Sequence, residues 1–375
     1  MAIYLVVMTF ALALGRILQK DKRSYIVIMT VILTAISACR TESVGADTFQ
    51  FCQAFRELNA GGIADQGGRS LEPGFQFLCR FLGVLSTDAQ ILIVVTSLFC
   101  VPTLMYSIYK NSSDISLSVY LFVAFNFFSY EMNAMRQVLA ICIILLGVEL
   151  FLKKGRRLLF AGVILAASLF HSSAIIMLVL LIFDRLPARL SFCWGSVFLG
   201  GVGYLLCPAI FSVAVSVLGY SLYVGTDFTQ SNYFGAVFQM LVPLCILLVV
   251  TTLLASAESQ RGSLSFTKAS VNNCLSLKEG RSLFETAPLY NSACVTFIAS
   301  LMAVRISLFS RFQNYFQFFA LILIPDALHL AEPRFASLMK WTIVLMSLIY
   351  WLVVAIYRPE WFAVVPYQSI FDLLA

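Results

Sequence analysis

Charge is scarce in this chain: only 12% of its 375 residues are Asp, Glu, Lys or Arg, and histidine occurs twice. Soluble domains carry about twice that share of charge, so composition alone excludes an ordinary water-soluble enzyme. The ten cysteines form no C-x-x-C pair and have no neighbouring histidine, which excludes the common zinc and dithiol motifs. They read as small core residues, although Cys52 and Cys79 fall in one segment where pairing is open to them. No D-x-D motif marks a metal site, and neither metal nor cofactor is expected. Ten-residue alternating segments are missing, which argues against an outer-membrane barrel. No internal repeat is visible, which weakens a transporter built from repeated halves. There is no soluble basic domain to suggest nucleic acid.

What fills the chain is hydrophobic: 60% of residues, with a mean hydropathy of +0.90. Apolar runs follow one another with short charged interruptions, so the expected fold is all-α, a polytopic membrane helical bundle of about twelve spans over residues 1–375. The run from Ala2 to Leu18 has no basic residue before it and no A-x-A pattern after it, and reads as a retained first span. Arg16, Lys20, Lys22 and Arg23 then mark a cytoplasmic loop by the positive-inside rule, and both termini are expected outside. Residues 40–88 become a first extracytoplasmic segment, 208–235 a second, and the polar, Ser-rich 256–285 a cytoplasmic loop. The net charge of +6 fits a basic cytoplasmic surface against anionic lipid.

Two stretches break the pattern. Residues 158–183 are flanked by Arg156 and Arg157 before and by Arg185 and Arg189 after, so two passes must fit where one is usual. Each has about 13 residues, or about 20 Å against a hydrocarbon layer of about 30 Å. The hairpin is therefore short and broken, with the turn at His171-Ser172-Ser173 recessed at the floor of an outward-open cavity. Second, the eight basic residues assigned to the outside are all arginine: Arg40, Arg56, Arg69, Arg80, Arg136, Arg305, Arg311 and Arg358. A random draw from 17 arginines and 8 lysines would do this about two times in a hundred. Arginine binds phosphate oxygens through a two-pronged fork, so an arginine-lined outer cavity suits a phosphorylated lipid head group.

Arg136 opens a helix, where free N–H groups and the helix dipole already favour an anion. Its plainer roles are reaching the membrane surface or pairing with Glu131. Arg311 and Tyr315 share a helical face at i and i+4. Asp47 follows the tight-turn signal Val44-Gly45-Ala46, and Glu72-Pro73-Gly74-Phe75 starts an amphipathic helix. For outer carboxylates such as these, a solvated loop position is the plain alternative. A histidine in an apolar run is usually a satisfied core residue, and only the recessed position of His171 argues for function.

Arg40 with Val44-Gly45-Ala46-Asp47-Thr48, Glu72-Pro73-Gly74-Phe75, Arg136-Gln137-x-x-Ala140, Phe170-His171-Ser172-Ser173-Ala174 and Arg311-Phe-x-x-Tyr315 together resemble the EpsG family of exopolysaccharide polymerases, related to Wzy-type O-antigen and capsule polymerases. The resemblance runs from Arg40 to the Pro366-Tyr367 tail. It departs where the family has Thr and this chain has Ala46, and where the family has Tyr and this chain has Phe51, so neither hydroxyl takes part in the chemistry here. The resemblance implies a multispanning glycosyltransferase of the GT-C kind in the bacterial inner membrane. It would join oligosaccharide units carried on undecaprenyl diphosphate, which serve as both donor and acceptor. A chain-length regulator and a flippase are the candidate protein partners.

On that reading Arg136 and Arg311, then Arg40 and Arg305, neutralise the diphosphate. His171 or Asp47 is the base, and Glu72, Tyr315, Tyr220, Tyr223 and Tyr233 are candidates to contact sugar. A lipid-linked oligosaccharide flippase and a membrane O-acyltransferase are the competing classes. The first should show related halves, and the second a cytoplasmic approach for its acyl donor.

Overall fold

A backbone segment in hydrocarbon must satisfy its N–H and C=O groups within itself, and a helix does so. The computed structural model describes residues 1–62, 65–66, 69–183, 186, 189, 191–218, 233–260 and 286–373. Among these the elements are helical, apart from the two-residue antiparallel pair Asp65–Gln66 with Arg69–Ser70. Five helices are long and apolar enough to cross a membrane: Gln90–Asn111, Met135–Lys154, Phe192–Val213, Gly235–Ser256 and Pro333–Tyr357. The bent pair Ile115–Ala124 and Phe127–Asn133, at 56° to one another, makes a sixth if taken as one span. The chain is a polytopic helical membrane protein. Twelve passes would require shorter apolar helices such as Ala2–Ile17, Arg157–Ser168 and Ala320–Leu330 to cross as well.

The chain folds as two compact units, Met1–Ile175 with Trp341–Ala375, and Ile176–Lys340. In the first, α1 (Ala2–Ile17), α2 (Lys22–Ala38), α3 (Thr48–Asn59), α4 (Pro73–Leu85), α5 (Gln90–Asn111), α6 (Ile115–Ala124), α7 (Phe127–Asn133), α8 (Met135–Leu150) and α9 (Arg157–Ser168) follow in order. Asp21 and Asp114 cap α2 and α6 by accepting from the backbone N–H groups of Ser24 and Leu117. Helix α6 is enclosed, with nine of its ten residues buried, while α1 and α2 turn Val6, Phe10, Val27 and Val31 outward. Apolar side chains on both the inner and outer faces are what a lipid solvent permits.

The two ends of this bundle are chemically distinct. At one, Lys153 in the 3-10 turn just after α8 bonds Asn111 at the end of α5 and Glu149, both at 2.6 Å. Gly15 near the end of α1 packs against Ser116 at the start of α6, where a Cβ would collide. At the other, Gln90 at the start of α5 donates to the carbonyls of Ala38 and Arg40, each at 3.0 Å. There the C-terminal segment also closes on the loop after α2. Gly45 and Ala46 donate to the carbonyls of Ala363 and Phe362, Thr41 to Gln368, and Ile370 to Cys39. Tyr4, near the start of α1, donates its hydroxyl to the carbonyl of Val364.

The expected span from Ile115 to Ser129 breaks at Asn126, which sits in the left-handed region at φ +60°, a conformation asparagine tolerates better than most residues. The 158–183 hairpin appears as α9, a break at 169–171, a 3-10 stretch Ser172–Val179 and α10 (Leu180–Phe183). A 3-10 helix rises about 2.0 Å per residue against about 1.5 Å for α, so the second arm reaches further than its length suggests.

The second unit contains α11 (Phe192–Leu218), α12 (Tyr233–Gln260), α13 (Thr286–Arg305), α14 (Ser310–Gln317) and α15 (Ala320–Leu330), and the last helix α16 (Pro333–Tyr357) begins in it. Gly200 and Gly203 of α11 let Leu301 and Met302 of α13 approach closely. Cys207, Ala303, Ile306 and Phe309 form a core beside them. Helix α11 continues through Pro208 to Leu218, so the first part of the expected second outer segment is helical. The expected single span from Gln313 to Leu328 is two helices, broken at Phe318 and Phe319. Most of the loop expected at 256–285 lies outside the described residues.

Candidate active site

Glu72 is the N-cap of α4, and Pro73 at the first helical position makes an abrupt start that leaves the carboxylate at the helix entrance. One oxygen, Oε2, accepts from Nη1 of Arg136 at 2.5 Å. The other, Oε1, accepts from the backbone N–H of Ser172 at 3.2 Å and lies 3.6 Å from Nδ1 of His171, an electrostatic contact longer than a hydrogen bond. One carboxylate thus joins the start of α8 to the break after α9. The Glu72 and Arg136 side chains keep 10% and 19% of their surface exposed and that of His171 10%, so the cluster is screened from solvent but not sealed.

Burial by itself would raise the Glu72 carboxyl. The charge of Arg136, that of His171 when it is protonated, and the backbone N–H groups outweigh it and hold the group below its ordinary value. The Arg136 guanidinium also lies 5.3 Å over the ring of Phe51, which in turn meets Phe75 edge-on at 5.6 Å. An aromatic ring is the contribution of position 51, and it needs no hydroxyl. Gly74 donates its N–H to the carbonyl of Leu169 at 2.8 Å, and a Cβ there would stand 2.8 Å from that same oxygen. The glycine after Glu72-Pro73 thereby pins the histidine turn to α4.

Arg136 begins a helix as the sequence indicates, but its carboxylate partner is Glu72 rather than Glu131. Glu131, on α7, accepts instead from Ser37 at 2.8 Å, and Ser37 also accepts from Arg40 at 2.8 Å. Arg40 donates further to the carbonyls of Ser37 and Met132 and to Ser97. It is completely enclosed, so the arginine expected to face a diphosphate is surrounded by protein. Asp47 is half-buried at the start of α3, with its backbone N–H held by the side chain of Asn133 at 2.8 Å. The turn before it is as tight as expected, with Gly45 at φ +102° and the carbonyl of Met132 against it.

Arg305, Arg311 and Tyr315 belong to the second unit. Arg305 ends α13 and lies 5.3 Å over the ring of Tyr204. Arg311 and Tyr315 stand one turn apart on α14, the tyrosine almost fully buried. Tyr220 and Tyr223 lie outside the described residues, as does the side chain of Tyr233 at the first position of α12. Cys52 and Cys79 are free thiols, each pushed up to about 12 by burial. Among the described residues, no group of three His, Cys, Asp or Glu side chains is placed to hold a metal ion.

The EpsG family profile matches residues 23–369, nearly the whole length and a span that contains the cluster. The chain belongs to the EpsG family. No curated protein and no solved structure matches it. In this EpsG chain three of the motifs that carry the resemblance meet: Glu72-Pro73-Gly74-Phe75, Arg136 and Phe170-His171-Ser172 converge on one carboxylate. Sequence reasoning ranked Glu72 as a sugar contact and missed its bond to Arg136. The periodicity of each segment carries no information about a contact between residues 64 positions apart.

Proposed function

We propose that this protein is a polysaccharide polymerase, a membrane glycosyltransferase that joins oligosaccharide units carried on undecaprenyl diphosphate. Its exopolysaccharide, capsule or O-antigen product would be built at the outer face of the bacterial inner membrane, by a GT-C-like bundle of about twelve passes with both termini outside. The observation that carries the reading is the bridge of Arg136 to His171 through Glu72. It unites a permanent cation, at a helix start suited to phosphate, with a titratable base.

In the reaction, the acceptor hydroxyl oxygen attacks the anomeric carbon of the growing chain. The new glycosidic bond forms as the bond to undecaprenyl diphosphate breaks. His171 takes the hydroxyl proton, Glu72 orients the imidazole, and Arg136 neutralises the charge that develops on the departing diphosphate. With the Arg136 guanidinium supplying the positive charge at the leaving group, the step as proposed uses no metal ion. Arg40, which is enclosed, donates to Ser37, the partner of Glu131, and to the carbonyl of Met132.

The test is a gel of lipid-linked glycans from a null strain, Arg136→Lys and His171→Ala. Each should accumulate single repeat units on lipid and lose long chains, while both variant proteins still accumulate in the membrane. Chains of normal length in Arg136→Lys would reject the two-pronged phosphate contact. Units trapped on the cytoplasmic face of the null strain would favour a flippase, and normal chains lacking acyl groups an acyltransferase.

A further inference from the structure

Helix α4 carries an apolar face that the fold does not use. Its inward face, Phe75, Cys79 and Leu82, is buried against the bundle. On the opposite side Phe77, Phe81, Val84 and Leu85 are exposed by 71%, 55%, 85% and 65%, and the rings of Phe77 and Phe81 stack at 6.3 Å. Between the two faces runs a narrow polar sector: Gln76, exposed Arg80, and Gly83, whose missing side chain admits Asn59 of α3.

The course of α4 follows from its anchors. It starts at Glu72 and Gly74, bonded to Arg136 at the start of α8 and to Leu169 after α9. It ends just before Gln90, which starts α5 and bonds the carbonyls of Ala38 and Arg40. Both ends of α4 therefore lie at the same end of the bundle, away from the Asn111 and Lys153 pair. Its 13 residues rise about 20 Å, too short for a hydrocarbon layer of about 30 Å. We infer that α4 lies in the plane of the membrane across this end of the bundle, with the Phe77, Phe81, Val84 and Leu85 face sunk among lipid acyl chains.

The neighbouring helix supplies the contrast. Helix α3 packs on α4 through Phe51 and Phe75, and its Asn59 donates to the carbonyl of Cys79 at 3.3 Å. Beyond Phe49, the exposed positions of α3 are polar: Gln50, Gln53 and Arg56, the last paired with Glu42 at 2.6 Å. Two joined helices at one level thus present a wet surface and a greasy one, the sidedness of a protein edge at a membrane interface. Arg80 sits at the seam, where a long stem reaches lipid and the guanidinium reaches water. The arrangement holds Glu72 at head-group depth, and it stands whether or not the Glu72 cluster transfers sugar.

The test uses the full-length protein in vesicles of phosphatidylcholine and phosphatidylglycerol whose acyl chains carry bromine, a contact quencher of tryptophan. Emission added by Phe81→Trp or Gln53→Trp is obtained by subtracting the parent, which has four tryptophans. Phe81→Trp should emit at shorter wavelength and lose roughly half of its added emission to the brominated lipid, with aqueous iodide having little effect. Gln53→Trp should show the reverse. Iodide quenching of Phe81→Trp would place this face in water and overturn the inference. So would lipid quenching of both variants, or insensitivity of Phe81→Trp to either quencher, which would mean that another protein surface covers it.

Discussion

Glu72 has one ordinary side chain and two tasks: it neutralises Arg136 and holds the His171-Ser172 turn. Because its folded-state carboxyl titrates below the ordinary 4.5, it contributes stability that is fully present above pH 4.5 and is lost as pH falls through the folded value. Unfolding of the purified protein in detergent should therefore be insensitive to this group between pH 5 and 8, by about half a kcal/mol at most. Glu72→Gln should cost about 2 kcal/mol at pH 7, a figure discounted for partial exposure, with the difference from the parent shrinking below pH 4.5. A constant difference down to pH 3 would show that the carboxylate charge is not what holds the cluster. The residue types of the cluster were legible in the sequence. The partners were not, because Glu131 is nearer to Arg136 along the chain, and only the turn at Ala134 sends its side chain toward Ser37.

At the scale of elements, the site depends on how closely α4 approaches the break after α9. Gly74→Ala places a methyl carbon 2.8 Å from the carbonyl oxygen and 3.0 Å from the carbonyl carbon of Leu169, backbone atoms that cannot rotate aside. The expected outcome is a displaced His171 turn, about 2 kcal/mol of lost stability and a fall in chain extension. Normal extension in Gly74→Ala would separate the turn from the chemistry. The amphipathic start at Glu72-Pro73-Gly74-Phe75 is legible from proline and glycine placement. The uncovered outer face of α4 is not, because only the structure shows which side the bundle covers and that Phe77, Phe81, Val84 and Leu85 are left exposed.

At the scale of the molecule, the chain returns to its beginning. Four backbone hydrogen bonds join the C-terminal segment to Cys39, Thr41, Gly45 and Ala46, and Tyr367 donates to the carbonyl of Ile36. At about 1 kcal/mol for each of these five, deletion of residues 359–375 should cost about 5 kcal/mol. Membrane fractions should then hold less protein, with faster proteolysis in the loop before α3. Undiminished accumulation of the truncated chain would show that the strap is dispensable. Composition and the spacing of apolar runs determined the class and most helices, because hydrocarbon admits few backbone solutions and the spans must be apolar. The resemblance to the family rests on short motifs, whose order along the chain is legible without knowledge of contacts. Only the tertiary structure decided that Arg136 meets Glu72, that Arg40 is enclosed, that helices break at Asn126 and at Phe318-Phe319, and that the tail closes over Gly45. Each of these rests on side chains or carbonyls from separate segments meeting, and local periodicity carries no record of such meetings.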